Sequence, residues 1–142
     1  MDLHLAFHAL IVLLGGLLSG IPMGQAINRE DGEDRVRAWR VAHSGLCMGG
    51  LMLLIFAMML TQLEVGSWLR LLILGASLCA GYGFLLALPY GAAKGARGTQ
   101  GGGSRENRLV YLGNKVGAWG SLIATLGLLV AVAVRLFQGG GS

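Results

Sequence analysis

Four long apolar segments dominate this sequence and restrict its fold more than any other feature does. They cover residues 3–27, 38–63, 67–90 and 109–136. A membrane-spanning helix needs about 20 mostly apolar residues, and all four segments meet that requirement. We therefore predict an all-α fold, an integral membrane bundle of four transmembrane helices that forms one domain over residues 1–138.

The distribution of charge supports a membrane protein and excludes a nucleic-acid partner. Only 13% of the residues are charged, whereas soluble domains contain about one quarter. The net charge is +4, but the basic residues flank the apolar segments, a pattern that sets membrane topology and does not form a nucleic-acid-binding face. The terminal run 139–142 is typical of an artificial linker, so we leave it out of the domain.

The basic residues also predict the orientation of the chain. Eight of them lie in or beside the two loops 28–37 and 91–108, which are on the same side of the membrane. They are Arg29, Arg35, Arg37, Arg40, Lys94, Arg97, Arg105 and Arg108. The opposite side receives only Arg70 and Arg135. Because basic residues accumulate on the cytoplasmic side, we predict that loops 28–37 and 91–108 are cytoplasmic and that the membrane is an inner membrane of bacterial type.

One histidine stands out within the apolar segments. His43 follows Trp39-Arg40-Val41-Ala42, just inside the second segment on its charge-rich flank. An ionisable residue inside a membrane is costly and therefore marks a candidate functional site with a partner. A lone imidazole in a membrane helix favours haem iron as that partner. From spacing alone, a hydrogen bond to a neighbouring helix or to a lipid headgroup explains His43 equally well.

Several residues together resemble the styrene oxide isomerase family. They are the stretch His8-Ala9-Leu10-Ile11-Val12, the motif Trp39-Arg40-Val41-Ala42-His43-Ser44-Gly45 and the stretch Asn114-Lys115-Val116-Gly117, all within four apolar segments. That family consists of integral membrane homotrimers that bind haem b between subunits and convert aryl epoxides to aldehydes by a Meinwald rearrangement. The resemblance implies a haem b-dependent isomerase that acts on a small hydrophobic epoxide.

The resemblance also implies roles for individual residues. His43 matches the proximal ligand of the haem iron, and we expect Ser44 and Cys47 to contribute to the same cofactor site. Ferric iron with a vacant position would act as a Lewis acid on the epoxide oxygen. We expect Tyr82 and Asn114 to be the polar groups of the catalytic site.

The sequence departs from the family pattern at two positions. Gly49 stands where the family has an asparagine, six residues after the ligand histidine, and Leu85 stands where the family has a tyrosine after Gly-Phe. Tyr82 lies almost one helical turn from Leu85 and is the expected substitute. Two alternatives therefore stay open. One is a membrane protein that binds haem or senses a ligand without isomerase activity, and the other is a cofactor-free structural subunit.

Small residues recur every four positions in three of the segments. They are Gly16, Gly20 and Gly24, then Gly45 and Gly49, and then Gly113 and Gly117. Faces of this kind let helices approach closely, and we expect them to favour self-assembly. A trimer in particular is implied only by the resemblance.

Overall fold

The computed structural model of the chain describes residues 2–139, with side chains for residues 2–137. It contains the helices α1 (Leu3–Asn28), α2 (Glu33–Gln62), α3 (Ser67–Lys94) and α4 (Arg105–Gly139). All four are long and apolar enough to cross a membrane, which confirms the predicted all-α fold and membrane class. Apart from Gly139, the predicted linker at 139–142 lies outside the described residues.

The helices extend beyond the apolar segments because the polar flanking residues favour helix ends. α2 begins at Glu33, and the carboxylates of Glu33 and Asp34 lie in its first turn, where they interact favourably with the positive end of the helix dipole. α3 continues to Lys94 and is closed by Gly95, which adopts a left-handed conformation with φ of 66°. Glycine is the usual residue at this position because it has no Cβ to hinder that conformation.

The four helices form two pairs. α1 packs along α2, and α3 packs along α4. The pairs meet mainly between α2 and α3, with a smaller contact between α1 and α3. Among the described residues, α4 has no comparable contact with α1 or α2. The apolar core includes buried side chains from all four helices, namely Leu5, Val12, Leu46, Leu60, Ile73, Ala124 and Leu128.

Glycines set the distance between the helices within each pair. A Cβ on Gly83 would lie 2.8 Å from the backbone nitrogen of Gly117, and a Cβ on Gly16 would lie 2.6 Å from the backbone nitrogen of Cys47. No side chain fits at either point, so glycine allows these close contacts. These two glycines therefore face helices of the same chain, whereas a Cβ on Gly49 would have no atom within 4 Å. Our expectation that the glycine faces favour self-assembly stays a prediction. The trimer depends on the family resemblance alone.

The loop between α3 and α4 is held by one side chain, although its composition predicts a flexible segment. The Asn107 side chain accepts a hydrogen bond from the backbone nitrogen of Gly98 at 2.9 Å. Its amide nitrogen donates to the carbonyl oxygens of Gln100 and Gly102, each at 2.8 Å. Three backbone groups of a glycine-rich loop are thereby satisfied by one residue at the start of α4.

Candidate functional site

The imidazole of His43 is held against the backbone of α1. His43 lies about three turns into α2, and its Nδ1 is 2.8 Å from the carbonyl oxygen of Gly16. Because that oxygen can only accept, Nδ1 carries the proton and donates it. The ring reaches the carbonyl over Gly20, where an added Cβ would lie only 3.2 Å from Nδ1. The small residues of α1 thus create the space that the imidazole occupies.

This hydrogen bond fixes the tautomer of His43. With the proton on Nδ1, Nε2 keeps its lone pair, which is the form in which imidazole binds a metal. Metal-ligating histidines usually donate their other N–H to a carbonyl or carboxylate in the same way. No hydrogen bond to Nε2 occurs among the residues with described side chains, and the His43 side chain is half-buried. This geometry leaves Nε2 in a form that can bind a metal, and it equally satisfies a histidine that only joins α2 to α1.

The surroundings of His43 suit a metal that brings its own additional ligands. Within residues 2–139, no group of three or more histidine, cysteine or acidic side chains could hold a metal ion. A haem iron takes four ligands from its porphyrin and needs only an axial ligand from the protein. Haem is thus a metal centre that these residues fit.

The other two predicted cofactor residues differ in their relation to His43. The sulfur of Cys47 lies 3.9 Å from His43 Nδ1, so Cys47 contributes to the immediate surroundings of the ring. Ser44 is exposed, and its hydroxyl donates to the carbonyl oxygen of Arg40 at 2.8 Å. The hydroxyl of Ser44 is thereby satisfied inside its own helix, and its role in cofactor binding stays a prediction.

Tyr82 lies beside His8 and not beside His43. Its hydroxyl oxygen is 2.6 Å from His8 Nδ1, and the two rings meet edge to face with centroids 5.6 Å apart. On α1, His8 precedes Gly16 by eight residues, or about 12 Å along the helix axis. Within one chain, the hydroxyl of Tyr82 and the His43 ring therefore lie at different depths along α1, about 12 Å apart. The sequence signal for this pair is His8 itself, an ionisable residue inside an apolar segment that requires a partner.

Asn114 lies in a cleft of about 650 Å³ between α2 and the α3–α4 pair. Its Oδ1 is buried and has no hydrogen-bond partner among the described residues. The wall opposite Asn114 is formed by Ala38 and Val41 of α2, and His43 is not among the lining residues. Because the His43 ring faces α1, the two residues lie on different sides of α2. A catalytic site that contains both requires a second chain.

The two positions that depart from the family pattern have different surroundings. A Cβ added to Gly49 would have no atom within 4 Å, so this position borders open space. The Leu85 side chain packs against Gly15, the residue that precedes the carbonyl group bound by His43. An apolar side chain and an empty space thus replace the two polar groups that the family pattern predicts here.

Together, the fold and the site define a four-helix integral membrane protein in which the imidazole of His43 is fixed by a hydrogen bond to the backbone of α1. A sequence model of the styrene oxide isomerase family matches residues 1–133. The chain therefore belongs to the styrene oxide isomerase family, a family of isomerases, and the match includes α1, α2, α3 and most of α4. No curated protein and no solved structure matches the chain.

Proposed function

We propose that this protein is a haem b-dependent epoxide isomerase in which His43 is the axial ligand of the iron. The observation that carries the proposal is the hydrogen bond from His43 Nδ1 to the carbonyl oxygen of Gly16, because it leaves Nε2 available for iron. Membership of the styrene oxide isomerase family supports the reaction class, which is conversion of an epoxide to its isomeric carbonyl compound.

The residues around His43 contribute orientation and an apolar environment. When bound, ferric haem supplies a Lewis acid for the epoxide oxygen without a redox cycle. The carbonyl of Gly16 keeps the imidazole in one orientation and makes Nε2 a stronger donor. Because substrate and product are isomers, the site consumes no water. Apolar side chains such as Leu46 and Leu85 exclude it and so protect cationic character that develops on carbon.

The two departures from the family pattern support a small hydrophobic substrate held by apolar contacts. Leu85 offers no hydrogen bond, and Gly49 leaves space where a side chain would otherwise direct the substrate. The same two positions favour one alternative, a membrane haem protein that binds or senses a ligand without isomerising it. Turnover by the purified protein distinguishes the two functions.

A homotrimer in a bacterial inner membrane, with loops 28–37 and 91–108 in the cytoplasm, completes the proposal. Its support is the family resemblance together with the excess of basic residues beside those loops. In such an assembly a neighbouring chain provides a route for Asn114 or Tyr82 to approach the His43 site, which a single chain does not allow.

The test is isomerisation of an aryl epoxide by detergent-purified protein, with His43→Ala compared with His4→Ala. His4 is exposed near the start of α1. It precedes Gly16, the residue that His43 contacts, by about 18 Å along the helix axis, so it is the matched control. We expect His43→Ala to lower turnover by at least about 100-fold, because Lewis-acid stabilisation of several kcal/mol is lost. We expect His4→Ala to turn the substrate over at the rate of the parent protein. Haem binding without turnover in the parent protein would favour the sensing alternative. Equal turnover by both variants would refute the proposal.

A further inference from the structure

Within one chain, the His43 side chain does not line the cleft between α2 and the α3–α4 pair. This cleft has a volume of about 650 Å³ and lies at the end of the bundle where the basic residues accumulate. Its walls are mostly apolar, with Ala38, Val41, Ala87, Leu88 and Val110 among the lining side chains. It exists because α4 has no extensive contact with α2. The shape and the walls suit an apolar chain inserted between two helices.

The rim of the cleft is strongly basic. Its charged residues are Asp34, Arg35, Arg37, Lys94 and Arg97, which together carry a net charge of +3. Arg97 pairs with Asp34 at 2.9 Å, and Arg35 lies 3.5 Å from Asp31. Arg37 and Lys94 have no carboxylate within 4 Å among the residues with described side chains. The carboxylate of Glu106 interacts with Lys94 only at longer range, so both cations at the mouth of the cleft are available to an anion.

Asn114 adds a polar group below this rim. Its Oδ1 is buried without a hydrogen-bond partner among the described residues, and a buried polar atom of this kind destabilises the structure unless a partner satisfies it. Rotation of the side-chain amide by half a turn presents N–H donors at the same place. The cleft therefore offers two cations at its mouth and mostly apolar walls further in. Asn114, which lies one helical turn deeper than Val110, adds an amide at the inner end. A phospholipid likewise has a charged phosphate at one end and apolar acyl chains beyond it.

We propose that the cleft binds an anionic phospholipid, with its phosphate at Arg37 and Lys94. One acyl chain lies between α2 and α4 along Val41 and Leu88. Basic pockets between transmembrane helices bind anionic head groups in this way. A second copy of the chain is a poorer occupant, because its own basic rim would bring charges of the same sign together. The lipid site lies on the other side of α2 from His43 and does not depend on haem.

The test is native mass spectrometry of the detergent-purified protein with added dioleoyl phosphatidylglycerol or dioleoyl phosphatidylcholine. We expect the parent protein to retain the anionic lipid in preference to the zwitterionic one. The double variant Arg37→Gln with Lys94→Gln should bind it about 30-fold more weakly, because each basic residue contributes to binding of an anionic headgroup. The matched control, Arg29→Gln with Arg108→Gln, loses the same charge at exposed positions outside the cleft and should bind as the parent does.

Two single variants test the apolar part of the cleft and its independence from haem. Val41→Trp fills the cleft without changing the rim and should also reduce binding of the anionic lipid. His43→Ala should bind that lipid normally, so failure of the haem proposal would not affect this result. Equal binding by the two double variants, equal binding of both lipids, or displacement of the lipid by millimolar inorganic phosphate would overturn the proposal. So would a change of oligomeric mass in place of lipid loss, since it would identify an interface between copies.

Discussion

The orientation of the His43 ring depends on the absence of side chains at two positions of α1. Gly16 lets the backbone of α1 approach α2, and Gly20 leaves room for the imidazole beside the carbonyl that it binds. The orientation that the proposed ligand function requires is therefore encoded as much in these glycines as in the histidine. A substitution on α1 can disturb the proposed haem site without touching His43.

We predict that Gly20→Ala weakens haem binding by about 10- to 100-fold, the usual effect of disturbing a group that orients a metal ligand. The added Cβ would lie 3.2 Å from His43 Nδ1 and push the ring from its hydrogen bond. Gly24→Ala is the control, because a Cβ there has no atom within 4 Å. The measurement is haem titration of the purified apoprotein, and equal affinities of the two variants would contradict the prediction.

At the same scale, the sequence predicts His43 but not the pairing of His8 with Tyr82. His43 is recognisable because it is an ionisable residue in an apolar segment and carries a family motif. The partner of Tyr82 lies 74 residues away, and which residues meet across two helices depends on their rotation about their axes. Apolar periodicity does not fix that rotation in a membrane, because lipid-facing and core-facing side chains are both apolar.

At the scale of the helices, the α3–α4 pair makes a close contact at which backbone meets backbone. We predict that Gly83→Ala destabilises the fold by about 1–3 kcal/mol, the usual cost of overpacking. The reason is that its Cβ would lie 2.8 Å from the backbone nitrogen of Gly117. Gly75→Ala on the same helix meets no atom within 4 Å and should be neutral or slightly stabilising. Thermal unfolding in detergent measures both variants. A Gly83→Ala protein as stable as Gly75→Ala would show that the helices do not approach at this point.

Asp2 joins the start of α1 to both neighbouring helices. Its backbone nitrogen donates to the carbonyl oxygen of Ala57 at 2.9 Å, and its carboxylate accepts hydrogen bonds from Arg70 at 2.8 Å and from the backbone nitrogen of Leu5 at 3.1 Å. The hydrogen bond from Arg70 is the main reason why the pKa of Asp2 lies below its usual value of 3.8. Since the pKa is lower in the folded state, the charged carboxylate stabilises the fold above that value. This contribution is lost as the pH falls through the lowered pKa.

We predict that Asp2→Asn lowers stability at neutral pH by about 1 kcal/mol or less, because the ion pair is partly exposed. Asparagine still caps the helix, so the variant isolates the effect of charge. The difference from the parent should shrink in acid, where the parent carboxylate is protonated. Glu64→Gln is the control, since its pair with Arg135 is exposed on both sides. A difference that grows in acid, measured by thermal unfolding over a pH series, would contradict this assignment.

The sequence predicts the number and kind of helices but not their ends or their contacts. Hydropathy locates the membrane spans, whereas α2 and α4 begin in charged residues that hydropathy assigns to loops. The ordering of the α3–α4 loop depends on one asparagine, Asn107, and composition alone does not distinguish it from a solvated residue. The glycine faces are visible in the sequence, but whether they meet helices of the same chain or of another is decided only by the fold.

For the whole molecule, α2 separates the two surfaces on which the proposals depend. One side holds His43 against α1, and the other side forms the basic-rimmed cleft with α3 and α4. Large apolar side chains are exposed on every helix, including Leu10, Met48, Leu71 and Trp119. A bilayer accommodates such surfaces. The isomerase proposal requires that one of them, beside His43, is covered by haem and a neighbouring chain.

The most direct measurement is the absorption spectrum of the protein purified in detergent after expression with ample haem, together with His43→Gly and His4→Ala. We predict a Soret band in the parent and in His4→Ala, its loss in His43→Gly, and its recovery when free imidazole replaces the missing ligand. Recovery distinguishes loss of an axial ligand from loss of the fold. A Soret band that is unchanged in His43→Gly, or none in the parent, would contradict ligation of haem by His43 and the isomerase mechanism that depends on it.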